Sequence, residues 1–170
     1  MNVDELDPAS HTPQRALITR RVELATAMER LLRAAGSEVL CMQRDLEPLG
    51  LSSSAIVEQF ENLLASRRDA RVRLLVDDAS WLDTHAARLR TLQRFFAHAL
   101  EIRVANGDDA VGEDTVAIVD RRHVLALTIG KLVQGDLWLH HPLNARTWVS
   151  VFDRRWGHAG HNLPVVPLGL

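Results

Sequence analysis

The sequence predicts an α/β fold in which helices pack on a mixed central sheet. Segments with helical periodicity alternate along the 170-residue chain with short apolar segments, an order that favours a partly parallel sheet. Two further apolar segments, 115–119 and 123–129, follow each other across the polar link Asp120-Arg121-Arg122. A link this short predicts an antiparallel hairpin, and the hairpin makes the sheet mixed.

The first half of the chain supplies two helices and two strands. Leucine, methionine and alanine at three-, four- and seven-residue steps predict a helix over 16–35, which Gly36 would end. A short strand over 38–42 follows. Serine hydroxyls at 52–54 can cap a second helix that reaches about Ser66. Apolar residues then alternate with arginines and predict a strand over 71–76.

The second half begins with a third helix, from about Asp83 or Thr84 to about His98, and a strand over 100–105. After the hairpin, residues 137–140 predict one more short strand. Pro142 suits the first position of a last helix, which Gly157 would end after Trp156.

The chain length is that of one domain, which we place at residues 15–157. Residues 1–14 are acidic and polar with little to bury, so we expect a flexible N-terminal arm. Residues 158–170 are expected to form an irregular C-terminal tail.

The amino-acid composition argues against several functional classes. A net charge of −2 gives no basic footprint and argues against nucleic-acid binding. Cys41 is the only cysteine and lies in an apolar run, which indicates a buried free thiol. No apolar run approaches the roughly 18 residues of a membrane span, and the N-terminus lacks the apolar core of a secretory signal. We therefore expect a cytoplasmic protein without a cofactor.

The region 114–156 carries a resemblance to a known family. Val116-Ala117-Ile118-Val119-Asp120 is a strand running into a turn, a second apolar strand follows, and Phe152-Asp153-Arg154-Arg155-Trp156 closes the last helix. This arrangement resembles one half of the phospholipase D-like superfamily over residues 20–157. It looks most like short bacterial domains of unknown function that have this fold without its motif, some of whose relatives are attached to acetyltransferases.

The active-site motif of that superfamily is His-x-Lys followed by four residues and Asp. Aligned on Asp120, the lysine position holds Thr115 and the histidine position holds Glu113. The family chemistry needs histidine as the nucleophile on phosphorus and lysine to hold phosphate charge. The resemblance therefore implies a degenerate pocket and no catalytic residue.

An alternative site consists of carboxylates at the ends of two predicted strands, Asp45, Asp77 and Asp78. Ligands of open α/β sheets bind at this edge, and paired carboxylates can hold Mg²⁺ there. Strand-end aspartates also commonly cap turns and helices, and we favour that interpretation.

Four histidines, His140, His141, His158 and His161, lie close together in the sequence. Imidazole is a zinc ligand, but no cysteine and no His-Glu-x-x-His motif accompanies them, so we predict no metal site. Arginines occur in pairs that could contact phosphate backbones if several pairs shared one face. These pairs are Arg20-Arg21, Arg67-Arg68, Arg121-Arg122 and Arg154-Arg155.

Together these patterns predict a non-catalytic phospholipase D-like domain that acts in binding, with a protein partner or a second copy of itself. Two alternatives stay open. One is an enzyme of another class that uses Asp45, Asp77 and Asp78, and the other is weak nucleic-acid binding through the paired arginines.

Overall fold

A computed structural model describes residues 1–165 and contains one seven-stranded sheet. Its strands lie in the order β1-β7-β6-β5-β2-β3-β4. Only the β2–β3 and β3–β4 pairs are parallel, so the predicted mixed α/β architecture is confirmed. The strands are β1 (Gln14–Ile18), β2 (Glu38–Met42), β3 (Arg71–Val76), β4 (Leu100–Val104), β5 (Asp114–Val119), β6 (His123–Ile129) and β7 (Val133–Leu139).

The helices cover the two faces of the sheet unequally. Alternation of side chains along each strand separates a large core from a smaller one, whose members include Phe152 and Trp156 of the last helix. Residues of the first, second and fourth helices belong to the large core, and the last helix covers the opposite face. The helices are α1 (Glu23–Arg33), α2 (Ser54–Ser66), α3 (Ser80–His85), α4 (Ala87–Phe95) and α5 (Pro142–His158).

The predicted helix over 16–35 is wrong in its first half. Residues 14–18 instead form strand β1, which pairs antiparallel with β7. Ala16 and Ile18 are buried, whereas Arg15 and Leu17 are exposed, and this two-residue alternation is that of a strand. The helical part, α1, begins at Glu23, whose carboxylate accepts hydrogen bonds from the Thr19 and Arg20 N–H groups.

The segment 1–14 buries more than its composition indicates. Val3 and Leu6 belong to the large core and are each 2% exposed. Arg30 of α1 also donates a hydrogen bond to the Asp4 carbonyl oxygen. Two apolar side chains in a polar segment are therefore enough to attach it to the core.

Three other element boundaries differ from prediction. The third helix begins earlier, at Ser80, and divides at Ala86 into α3 and α4. Strand β7 extends over 133–139, because it pairs with neighbours on both sides despite its polar residues. Helix α5 continues through Gly157 to His158.

Part of the predicted irregular tail lies against the sheet edge. The Leu163 N–H donates to the Ile102 carbonyl oxygen at 2.7 Å. Asn162 pairs with Arg103 of β4 in an isolated antiparallel β-bridge. Residues 166–170 of that tail lie outside the described residues. Within residues 1–165, none of the helices combines the length and apolarity that a membrane crossing requires.

Candidate functional site

The structure separates the three motif positions along β5. Glu113 immediately precedes this strand and is exposed, while Asp120 immediately follows it. A strand of this length places the two residues about 20 Å apart. Glu113, Thr115 and Asp120 therefore do not line one common cleft.

Thr115 lies inside the protein. Its residue surface is 0% exposed, and it faces the same side of β5 as the core residues Ala117 and Val119. Its hydroxyl has no hydrogen-bond partner among the described residues. The side chain at the position of the family lysine is thus closed off from any phosphate in solvent.

Asp120 is bound to the chain that enters β2. Its carboxylate accepts the N–H groups of Gly36 at 2.7 Å, Ser37 at 2.9 Å and Glu38 at 2.9 Å. Partial burial would raise its pKa, but these N–H groups outweigh that effect and hold the pKa below the ordinary value. Asp120 therefore has a structural role, fastening the β5–β6 turn to the end of the α1–β2 connection.

The same turn is joined to helix α5 through Arg121. This guanidinium pairs with Glu38 at 2.9 Å and with Asp153 at 3.1 Å. Asp120 and Arg121 both have positive φ, 50° and 56°. Non-glycine residues seldom adopt this conformation, and here the contacts of both side chains stabilise the turn.

The strand-end carboxylates bind backbone N–H groups. Asp77 accepts those of Val111 at 2.7 Å and Gly112 at 2.9 Å, which holds the loop before β5. Asp45 accepts the N–H group of Glu47 at 3.0 Å.

Asp78 has a similar part at the start of α3. It accepts the N–H group of Ser80 at 2.9 Å, and this hydrogen bond lowers its pKa. The Asp77 and Asp78 N–H groups both donate to the Arg44 carbonyl oxygen, so the two loops are adjacent. Each of the three side chains nevertheless has a separate structural partner.

The histidines divide into separate roles. His141 accepts the Asn144 N–H group as the N-cap of α5, and His158 contacts Asp109 at 2.7 Å. His161 is exposed. The ring of His140 lies 4.5 Å from that of His123, which accepts the His140 N–H group.

His123 is the notable residue that sequence reasoning missed. It is 2% exposed, and burial together with the nearby His140 lowers its pKa to about 4. The signal in the sequence was a histidine at the first position of an apolar strand, which indicates a buried imidazole. Among residues 1–165, no group of three or more histidine, cysteine or acidic side chains has an arrangement that could hold a metal ion.

Several of the paired arginines have carboxylate partners. Arg20 contacts Glu23 at 3.0 Å, Arg67 contacts Asp69 at 3.0 Å, and Arg155 contacts Asp114 at 3.3 Å. These ion pairs partly neutralise the charge that a phosphate backbone would require.

A family model described as "Domain of unknown function (DUF7931)" matches residues 20–164. No curated protein sequence matches the chain.

Solved structures show a clear likeness in fold. Nuc from Salmonella typhimurium, a phospholipase D family member, has a TM-score of 0.60 at 13% identity, covering 89% of this chain and 99% of Nuc. NucT from Helicobacter pylori has a TM-score of 0.56 at 12% identity, covering 88% of this chain and 99% of NucT. At these identities the likeness concerns the fold, which is phospholipase D-like.

TrmBL2, an archaeal chromatin protein whose structure "shows a novel mode of DNA binding", has a TM-score of 0.63 at 12% identity. The match covers 86% of this chain and 53% of TrmBL2, so this chain spans about half of that protein.

Proposed function

Because the chain belongs to the DUF7931 family of domains of unknown function and has a phospholipase D-like fold, we propose that it is a non-catalytic binding domain. Its partner is a protein or a second copy of the chain, and its active-site motif has been lost. A cytoplasmic location is part of the same proposal.

The observation that supports this proposal best is the burial of Thr115. In the motif that the chain resembles, a lysine at this position holds the charge of the phosphate. A buried threonine hydroxyl supplies no charge and has no access to a substrate. Glu113 adds a negative charge at the histidine position, which repels a phosphodiester.

Asp120, the third motif position, has a structural role. Each carboxylate oxygen of Asp120 accepts a backbone N–H group, so this side chain is occupied by contacts with the main chain. The retention of aspartate at this position is thus explained without catalysis.

The test is a phosphodiesterase assay of the purified chain with bis(p-nitrophenyl) phosphate and with double-stranded DNA. We expect no hydrolysis above that of a Glu113→Gln variant. Hydrolysis by the wild type that Glu113→Gln or Thr115→Val abolishes would overturn the proposal, because both changes remove groups at the motif positions.

An enzyme that uses Asp45, Asp77 and Asp78 has less support. Asp77 holds the loop before β5, and Asp78 accepts the Ser80 N–H group at the start of α3, so a metal or substrate would have to displace these contacts. Binding of Mg²⁺ with a shift of the unfolding temperature, lost in Asp77→Asn, would favour the enzyme.

DNA binding is the second candidate, because TrmBL2 has a similar fold and binds DNA. It predicts affinity for a labelled duplex that falls steeply between about 50 and 200 mM salt. Fluorescence anisotropy measures this directly, and we expect no salt-dependent binding, since arginines such as Arg67 and Arg155 are already paired.

A further inference from the structure

A groove between helices α2 and α4 has no part in the contacts described above. It encloses about 650 Å³. The apolar side chains of Val57 and Leu92 line it and are almost fully buried, at 7% and 5% exposed. The groove lies on the large-core side of the sheet, and none of the motif residues Glu113, Thr115 and Asp120 lines it.

Phe95 lines the groove at the last residue of α4 and is 73% exposed. Phe60 and Phe152, by contrast, are fully buried. A single exposed apolar residue is ordinary on a protein surface. This one lies beside a groove of mixed polar and apolar lining, and an exposed aromatic side chain in that setting is typical of an interface anchor.

The walls of the groove carry opposite charges. Glu58 and Glu61, one turn apart on α2, are exposed, and so is Arg88 on α4. Within residues 1–165, none of these three side chains forms an ion pair or a hydrogen bond. They differ in this respect from Arg67, Arg121 and Arg155, which are all paired.

We propose that this groove binds a second copy of the chain in a two-fold symmetric dimer. Helix α4 of each copy lies against α2 of the other, so that Phe95 reaches the apolar lining formed by Val57 and Leu92 across the interface. Arg88 then pairs with Glu58 and Glu61 of the partner.

Charge complementarity is the reason for choosing a second copy. A two-fold interface brings the same patch of each copy together, so the patch must be complementary to itself. An acidic α2 wall and a basic α4 wall meet that requirement, as does an exposed aromatic side chain beside a groove that can receive it. The inference rests on the proposed binding function and gives it a surface and a partner.

The first experiment is sedimentation equilibrium of the full chain over about 1–100 µM. We expect a monomer–dimer equilibrium whose dissociation constant rises roughly 30-fold or more in Phe95→Ser, as for loss of an interface anchor. The control is Leu132→Ser, because Leu132 is 81% exposed and lies in the β6–β7 turn, outside the groove. Neither change disturbs a buried side chain.

A charge exchange gives the second experiment. Arg88→Glu alone, and Glu58→Arg with Glu61→Arg, should each weaken the dimer by about tenfold or more, since like charges would then face each other. The combined variant with all three changes should recover most of the affinity. Recovery would show that these residues meet across the interface.

A wild type that stays monomeric throughout the concentration range overturns the inference. So does a dimer that Phe95→Ser and Arg88→Glu leave unchanged, because the interface would then lie elsewhere. Neither outcome affects the non-catalytic proposal, which the phosphodiesterase assay tests separately.

Discussion

At the scale of single residues, Thr115 places in the large core a hydroxyl that has no hydrogen-bond partner within residues 1–165. A buried polar group without a partner has lost its water and gained no hydrogen bond. We expect Thr115→Val, which keeps nearly the same shape, to raise the free energy of unfolding by about 1 kcal/mol. Urea denaturation followed by circular dichroism measures this change.

Thr115→Ser is the matched control, because it keeps the hydroxyl and removes only the buried methyl group. It should lower the free energy of unfolding by about 1 kcal/mol. A Thr115→Val variant that is destabilised instead would show that the hydroxyl has a partner, such as an internal water molecule.

At the scale of elements, strand β7 depends on Gly135. A Cβ atom at this position would meet the Ala126 carbonyl oxygen and lie 2.5 Å from the Leu127 Cα atom, both in the backbone of β6. Backbone atoms of a paired strand cannot move aside without breaking the pairing. We therefore expect Gly135→Ala to lower the free energy of unfolding by roughly 3 kcal/mol, measured by denaturant unfolding.

Gly130→Ala in the β6–β7 turn is the control, since, apart from its chain neighbours, no atom of residues 1–165 lies within 4 Å of its added Cβ. It should change stability by less than about 0.5 kcal/mol. Equal effects of the two substitutions would mean that β7 and β6 are not as close as the structure has them.

At the scale of the whole molecule, His123 makes stability depend on pH. Its pKa is about 4 in the folded chain, compared with 6.5 for the ordinary side chain. Between these values the unfolded chain binds a proton that the folded chain does not, so the free energy of unfolding falls as the pH falls. We expect a loss of about 2 to 3 kcal/mol between pH 6.5 and pH 4, and none from this group above pH 6.5.

His123→Asn should flatten the curve in this range, because asparagine does not titrate and can still accept the His140 N–H group. The exposed His98 provides the control variant, His98→Asn, which should keep the wild-type slope. Asp120 affects stability at lower pH. Because its pKa is lowered in the folded chain, its contribution to the free energy of unfolding is lost as the pH falls below the ordinary aspartate pKa of 3.8. A pH 4–6.5 slope that persists in His123→Asn would contradict the assignment.

The elements with strong local patterns could be predicted from the sequence. The strands over 38–42 and 71–76 were predicted to the residue, and the hairpin over 114–129 nearly so. Continuous apolar runs over 39–42 and 116–119, which are buried on both faces of the sheet, and the alternation of apolar residues with arginines over 71–74 are visible without any tertiary information. The order of helices and strands then limited the topology to a mixed sheet, and the resemblance identified the fold.

The other features could not be predicted, because they depend on contacts between residues far apart in the chain. Strand β1 exists through pairing with β7, more than 100 residues away, whereas the apolar periodicity of the sequence predicted a helix from residue 16. Asp120 binds N–H groups about 80 residues earlier, so its structural role could not be seen in the motif. The groove beside Phe95 likewise forms between two helices that are packed together in the fold. Side-chain periodicity shows which residues of each helix face inward, but it does not show what lies opposite them.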